Sequence, residues 1–173
     1  VSIVKAIESD SDYIPVYESK MIHQYDHRFA SYEGLSDDQI DNKKPEKMEV
    51  VEKNDPDHEV EPPHWVSVDE YTKKWNDDSW HLVLRGVTNV TNRRTTISSL
   101  IPATATEHTL NHILQASAEQ AAILTACLNS FALDYITRRK LGNEFLSHFV
   151  VKQLPAPELD ELRKIELNGK PIK

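Results

Sequence analysis

The chain has 173 residues, of which 20 are Lys or Arg and 28 are Asp or Glu, giving a net charge of −8. This length suits one domain. Hydrophobic residues make up 39% and charged residues 28%, which excludes the class of intrinsically disordered chains. The single cysteine, Cys127, excludes an intramolecular disulfide and a zinc site built on cysteines.

The sequence also bears on location. No apolar run approaches the ~18 residues of a membrane span, and the first residues lack the pattern of a signal peptide. We therefore expect no membrane partner and a cytoplasmic location. Because the chain begins at Val1 rather than at methionine, we also expect it to be a piece of a longer protein.

The negative charge is concentrated in one segment. Residues 36–61 hold ten acidic residues and four lysines, a net charge of −6, with few large apolar side chains. This composition is typical of a long acidic surface insertion or a partly ordered loop. By contrast, residues 79–100 contain Arg85, Arg93 and Arg94 and no acid. The sequence therefore predicts an acidic lobe and a mildly basic face.

Five strands are predicted in chain order. The first covers residues 13–18, where Pro15 indicates an edge position. The second covers residues 64–68, and the clearest covers residues 80–87, which are rich in aromatic and β-branched side chains. We expect residues 90–100 to continue that sheet and residues 145–151 to form a last short strand.

One long helix is predicted over residues 116–140. Ser117 and Gln120 form a plausible capping box, the interior is rich in Ala and Leu, and Gly142 follows as a stop. We expect Asn129, Ser130, Phe131 and Tyr135 to be packing residues of this helix. Residues 158–173 are predicted to add one or two helical turns.

These elements predict an α+β fold, in which a mixed, largely antiparallel sheet packs against a long helix and carries the acidic insertion. The domain is expected to span residues 1–157, with the insertion at residues 36–61 and a C-terminal tail at residues 158–173.

Several kinds of chemistry are missing from the sequence. The four glycines are scattered, so no glycine-rich phosphate or cofactor loop can form. Cys127 lies among apolar residues, where an inert thiol is the common case. His23, Asp26 and His27 raise the question of a metal, but the sequence supplies no third strong ligand near the two histidines. We therefore predict neither catalytic residues nor a metal site.

Polar side chains suited to reading DNA are crowded into three segments, at residues 13–32, 81–102 and 128–157. Arg and Lys pair with guanine in the major groove, and Asn and Gln pair with adenine. The first two segments supply such groups, and the end of the predicted helix supplies cations for backbone phosphates. The predicted DNA-binding residues are Lys20, Gln24, His27, Arg28, Asn89, Asn92, Arg93, Arg94, Thr95, Arg138, Arg139 and Lys140. For Arg93 and Arg94, a solvated or intramolecular salt-bridged role is the open alternative.

The same segments carry a family resemblance over residues 13–157. Their motifs are Lys-Met-Ile-His-Gln-Tyr-Asp-His-Arg at residues 20–28, a Thr-Asn-Val-Thr-Asn-Arg-Arg-Thr-Thr run leading to Ile-Pro, and Asn-Ser in the helix followed by Lys-Gln-Leu-Pro-Ala-Pro. The chain resembles the target-recognition domains that follow the catalytic domain in adenine-specific DNA methyltransferases of type IIG and type ISP restriction-modification and related phage-defence systems, including those with a TaqI-like C-terminal specificity domain. Ser19 departs from the pattern, since such proteins commonly have Gly before the Lys.

The resemblance implies a noncatalytic domain that recognises double-stranded DNA by sequence. It implies a methyltransferase domain in the same parent chain as a partner, with S-adenosylmethionine bound there and no cofactor in this fragment. Two alternatives stay open. One is a protein-interaction scaffold that docks through the acidic insertion, and the other is a metal-dependent hydrolase using His23, Asp26 and His27.

Overall fold

A computed structural model describes residues 12–75, 80–113 and 117–156, and the backbone of two short strands at residues 166–167 and 170–171. The strands are β1 (Tyr13–Tyr17), β2 (Ala30–Ser31), β3 (Glu46–Lys47), β4 (His64–Ser67), β5 (Trp80–Arg85), β6 (Ser98–Pro102), β7 (Ala105–Thr106), β8 (Leu110–Ile113), β9 (Glu166–Leu167) and β10 (Lys170–Pro171). The helices are α1 (Asp37–Asp41), α2 (Val50–Asn54), α3 (Val68–Thr72), α4 (Ala118–Leu128), α5 (Phe131–Lys140) and α6 (His148–Val151), and one 3-10 turn covers Ser19–Met21. The predicted α+β class is confirmed.

The strands form two three-stranded sheets and two two-stranded ladders. In the first sheet, with the order β4-β1-β7, β1 is antiparallel to β4 and parallel to β7. In the second, with the order β6-β5-β8, all pairs are antiparallel. The ladders pair β2 with β3 and β9 with β10. Pairing is therefore mixed and largely antiparallel, as predicted, but it is divided among several sheets.

The apolar core forms on both faces of β5, because successive side chains of a strand point to opposite faces of the sheet. One cluster joins Tyr17, Met21 and Ile22 to side chains of β5, β6 and β8. A second cluster packs Leu84 of β5 against leucines of the two helices α4 and α5 and of the segment after them. Val83 and the next residue, Leu84, thus place β5 between these two clusters. A further cluster joins Ile14, Tyr71 and Ala103.

The predicted long helix is wrong at its centre, where two helices meet. Asn129 ends α4 and Ser130 is the N-cap of α5, accepting a hydrogen bond from the backbone N–H of Leu133. The side chain of Asn129 is buried and exchanges hydrogen bonds of 2.9 Å with the backbone N–H and C=O of Ser98. These bonds between Asn129 and the first residue of β6 stabilise the break between the two helices. The Ser117 cap of α4 is confirmed, with a bond from the N–H of Gln120.

Three strand predictions also need correction. Residues 90–97 form a loop, and β6 begins only at Ser98. Residues 145–151 are not a strand, since Phe145 makes one isolated bridge to Val87 and Ser147 then caps α6. Pro15 lies in the middle strand of its sheet rather than at an edge. The missing N–H of Pro15 is tolerated because the parallel strand β7 pairs only with the residues after Pro15. The carbonyl of Pro15 accepts a hydrogen bond from the Thr104 hydroxyl.

The predicted helix of the tail is wrong at residues 166–167 and 170–171, where β9 and β10 pair. Residues 157–165 lie outside the described part of the chain, as does Ala116 at the predicted helix start.

The acidic segment at residues 36–61 is an ordered part of the domain rather than a loose insertion. Met48 and Val60 belong to the first core cluster, and Ile40 packs against it. The segment forms α1, β3 and α2 in succession. Most of its charged residues are exposed, and helices α1 and α2 have no buried side chain.

Candidate functional site

The described residues form a cleft of about 750 Å³. Four parts of the fold form it: the loop before β2, strand β3, the end of β5 with the loop before β6, and the first residue of α5. It is lined by His23, Gln24, Phe29, Lys47, Arg85, Asn92, Arg93, Arg94, Ile97 and Phe131. We refer to it as the cationic cleft.

The lining of the cationic cleft has a one-sided charge. Lys47, Arg85, Arg93 and Arg94 contribute four positive groups, and none of the ten lining residues is a carboxylate. Burial, followed by the nearby Arg85 charge, lowers the pKa of His23, so that imidazole is neutral near pH 7. The four cations therefore favour an anionic ligand in a chain whose net charge is −8.

Arg94 forms the inner wall of the cleft. Its side chain is only 9% exposed, and its Nη2 donates to the carbonyls of Asn129 and Ser130. Its Nε lies 3.6 Å from Oδ1 of Asp134, and its guanidinium stacks on the ring of Phe131 at 4.5 Å. The intramolecular alternative thus describes Arg94 well, although its charge still faces the cleft.

Arg85 is a half-buried residue of the cleft lining. It is the last residue of β5, and its Nε donates to the carbonyl of Ser19 at 2.8 Å. Burial lowers the pKa of Arg85 while the charge of Glu18 raises it, and an arginine in this position stays protonated. The fold has therefore placed a partly desolvated cation in the lining of the cleft.

Phe29 provides an aromatic wall. Its ring lies 4.7 Å from the ring of His23, and the ammonium groups of Lys47 and Lys53 lie 5.4 and 5.7 Å from its centre. Such cation–aromatic contacts hold flexible lysines near the ring. The acidic segment thus contributes a cation, Lys47, to the cleft.

Four of the predicted DNA-binding residues come together here: Gln24, Asn92, Arg93 and Arg94. Asn92 and Arg93 are exposed in the loop before β6. Gln24 is partly committed to the protein, since its Nε2 donates to the backbone carbonyl of Asn129 at 3.2 Å and to its Oδ1 at 3.4 Å.

Two predicted arginines brace the structure instead of lining the cleft. Arg28 donates to the carbonyls of residues 53, 55 and 58 at 2.6, 2.8 and 2.9 Å, which fixes the acidic segment. Arg138 donates to the carbonyls of residues 90, 92 and 93 at 2.6, 2.6 and 3.0 Å, and to Asp134 at 3.1 Å. The structure gives both side chains an intramolecular role.

The other predicted residues also lie outside the cleft lining. Lys20 donates to the carbonyl of Lys43, and Asn89 donates to Glu144 at 2.8 Å. Thr95 is fully buried, and burial lowers the pKa of the half-buried His27. Arg139 and Lys140 are exposed in the last turn of α5.

The sequence-based prediction missed His23, Phe29, Lys47, Arg85, Ile97 and Phe131 as cleft residues. Lys47 was not predicted because it lies in the sequence among the acidic residues of the segment 36–61. Phe131 and Tyr135 were assigned to helix packing, which is wrong, since they are 84% and 65% exposed. An aromatic residue directly after a Ser N-cap is a signal that can be read from the sequence, but its direction depends on where the helix breaks.

Asp26, the carboxylate of the hydrolase alternative, is engaged with other groups. Asp26 accepts from Lys53 at 2.5 Å and from the N–H of Arg28 at 3.0 Å. Within residues 12–75, 80–113 and 117–156, no three His, Cys, Asp or Glu side chains are grouped to hold a metal ion. In the same part of the chain, every helix is too short or too polar to cross a membrane.

Comparisons with known proteins give no relative on which to build. No family model, no curated protein and no solved structure matches the chain.

Proposed function

We propose that the chain is a noncatalytic domain that recognises double-stranded DNA by sequence. In this proposal it is the specificity domain of an adenine-N6 DNA methyltransferase of a restriction-modification or phage-defence system. It acts in the cytoplasm beside the methyltransferase domain of the same parent chain, where S-adenosylmethionine binds. The observation that carries the proposal is the cationic cleft, with four positive side chains and no carboxylate in its lining.

Charge supports a phosphate-bearing partner. Each phosphate neutralised by Lys or Arg releases condensed counterions, and this gain supplies most of the sequence-independent affinity for DNA. Lys47 and Arg93 are the exposed cations of the cleft and are accessible to a phosphate group, whereas Arg85 and Arg94 are hydrogen-bonded to backbone carbonyls. The cleft therefore combines two solvent-exposed cations with two that are held by the protein.

Rigidity supports sequence readout. The loop that presents Asn92 and Arg93 is held by the three hydrogen bonds from Arg138 to its carbonyls. A loop ordered before binding loses less conformational entropy when it meets a ligand. Asn and Arg are the side chains that make bidentate contacts with adenine and guanine, so a loop with a fixed backbone that presents Asn92 and Arg93 suits base edges in the major groove.

The experiment compares two double variants in a fluorescence-anisotropy titration with labelled duplex DNA at several salt concentrations. Lys47→Ala with Arg93→Ala removes the two exposed cations of the cleft. Lys44→Ala with Lys152→Ala removes two exposed cations outside it, so both variants have the same net charge. We expect the cleft variant to bind about tenfold more weakly, with a salt slope shallower by about 1.8, and the control to resemble the unmodified chain.

Equal affinities and slopes for the two variants would contradict the proposal. Selection from a pool of randomised duplexes tests the specificity: the chain is expected to enrich one short motif. Recovery of DNA without any motif would contradict recognition by sequence, even if binding to duplex DNA holds.

A further inference from the structure

Phe131 is the most exposed large hydrophobic side chain of the described residues, with 84% of its surface open to solvent. It is the first residue of α5 and lies at the rim of the cationic cleft. A single exposed aromatic residue is common on protein surfaces. What sets Phe131 apart is that one face of its ring is already covered by a guanidinium group.

The ring is held in place from behind. Arg94 lies 4.5 Å from the ring centre, and its own guanidinium is fixed by the carbonyls of Asn129 and Ser130. Ser130 caps the helix by accepting from the N–H of Leu133, which fixes the backbone at Phe131. A buried, hydrogen-bonded cation thus supports one face of the ring, while most of the ring's surface remains open.

We propose that the open face of Phe131 is a stacking site for one unpaired nucleobase of DNA, with the adjoining phosphate held by the cations of the cleft. The inference rests on the proposed function and deepens it, because it states that the DNA is bound in a deformed state. An aromatic side chain beside a cationic groove is the general solution for binding an unstacked base, since each base has a π-face and each nucleotide has a phosphate. Phe is also among the apolar side chains that insert between base steps and unstack them.

The charge of the surroundings favours this ligand over an apolar protein segment. The nearest cations are Arg94 under the ring and Arg93 beside it in the cleft, and the cleft lining holds no acid. A hydrophobic helix from a partner protein would desolvate the exposed guanidinium of Arg93 without supplying a negative charge, whereas Arg94 is already paired with Asp134. A nucleotide supplies both the aromatic surface and the negative charge.

The test measures the affinity of the full chain for two labelled duplexes of the same sequence. One is fully paired, and the other carries a single unpaired 2-aminopurine, whose fluorescence reports stacking. The variants are Phe131→Ala, Phe131→Trp, which keeps an aromatic face, and Phe149→Ala. Phe149 is 75% exposed and outside the cleft lining, so it is the matched control.

We expect the unmodified chain to bind the duplex with the unpaired base about tenfold more tightly than the paired duplex, and to change its 2-aminopurine signal. Phe131→Ala is expected to remove this preference and the signal change, while Phe131→Trp and Phe149→Ala keep both. Thermal unfolding of each variant verifies the fold.

Two negative results have different meanings. Salt-dependent binding to both duplexes, with no preference or with a preference that Phe131→Ala leaves intact, would overturn the stacking site and leave the proposed function standing. Failure of the unmodified chain to bind either duplex would overturn both proposals.

Discussion

Asp134 is the centre of the hydrogen-bond network behind the cleft, and its replacement by alanine tests how that network stabilises the domain. Only 5% exposed, it accepts from the backbone N–H groups of Thr95 and Thr96 at 2.7 and 2.8 Å, and from the Thr96 hydroxyl at 3.0 Å. Its second oxygen accepts from Arg138 Nε at 3.1 Å. One carboxylate thus joins α5 to the loop before β6.

The size of the effect follows from the groups that Asp134→Ala leaves unpaired. Each buried N–H left without an acceptor costs about 1–3 kcal/mol. The loss of two such bonds, and of the compensation for the buried Arg94, gives an expected destabilisation of about 4 kcal/mol, within the range of about 3–5 kcal/mol for breaking a buried ion pair. Asp134→Asn keeps an acceptor oxygen, so we expect a loss of about 2 kcal/mol.

The measurement is urea-induced unfolding followed by circular dichroism, with Glu144→Ala as the control. Glu144 is an exposed acid that accepts from Asn89, and its loss is expected to change stability by less than about 0.5 kcal/mol. A change of less than about 1 kcal/mol for Asp134→Ala would contradict this expectation, since it would mean that the two N–H groups find other partners.

Acid provides a further test of the same group. Burial alone would raise the pKa of Asp134, but the hydrogen bonds from Thr96, Thr95 and Arg138 outweigh burial and hold the pKa below its ordinary value. The carboxylate therefore contributes stability above the unfolded-state pKa of about 4, and this contribution is lost as the pH falls through the lower folded-state pKa.

Two other predictions concern stability and order. His112 stacks on Trp75 at 4.5 Å, and burial, with the charges of His81 and Lys74, lowers its pKa to about 4. The unfolded chain takes up this proton near pH 6.5, so we expect the free energy of unfolding to fall by about 1–2 kcal/mol between pH 6.5 and 4, allowing for solvent screening. Urea unfolding at several pH values measures this fall. If His112→Phe shows the same dependence on pH as the unmodified chain, His112 is not its origin. Arg28→Ala removes three hydrogen bonds to the acidic segment. We expect amide hydrogen exchange at residues 49–58 to become at least about tenfold faster, which corresponds to the net free energy of roughly one hydrogen bond. Unchanged exchange there would show that the core contacts of Met48 and Val60 are sufficient to hold the segment.

Local signals predicted the local parts of the fold. The aromatic and β-branched run of β5 and the Ser117 cap were readable because period and capping chemistry act within a few residues. The break at Asn129 and Ser130 was not readable as a break, since both residues also occur in helix interiors. What decides between the two outcomes is the pairing of Asn129 with Ser98, 31 residues away.

The candidate site shows the same limit. Residue type selected Asn92 and Arg93 as DNA-contacting side chains, and the fold does bring them to one cleft. Residue type gave no means of separating them from Arg28 and Arg138, because the carbonyls that occupy those two guanidinium groups lie 25–48 residues away. The net charge of the acidic segment gave no indication that the side chain of Lys47 lines the cleft.

The most direct test of DNA recognition through the cationic cleft is an NMR titration of the ¹⁵N-labelled chain with duplex DNA. We expect the largest amide shifts at Lys47, at Asn92 and Arg93, and at Phe131, with little change in α1 and on the outer face of α2. Shifts confined to those acidic helices or to the exposed end of α5, with the cleft residues unmoved, would contradict the account.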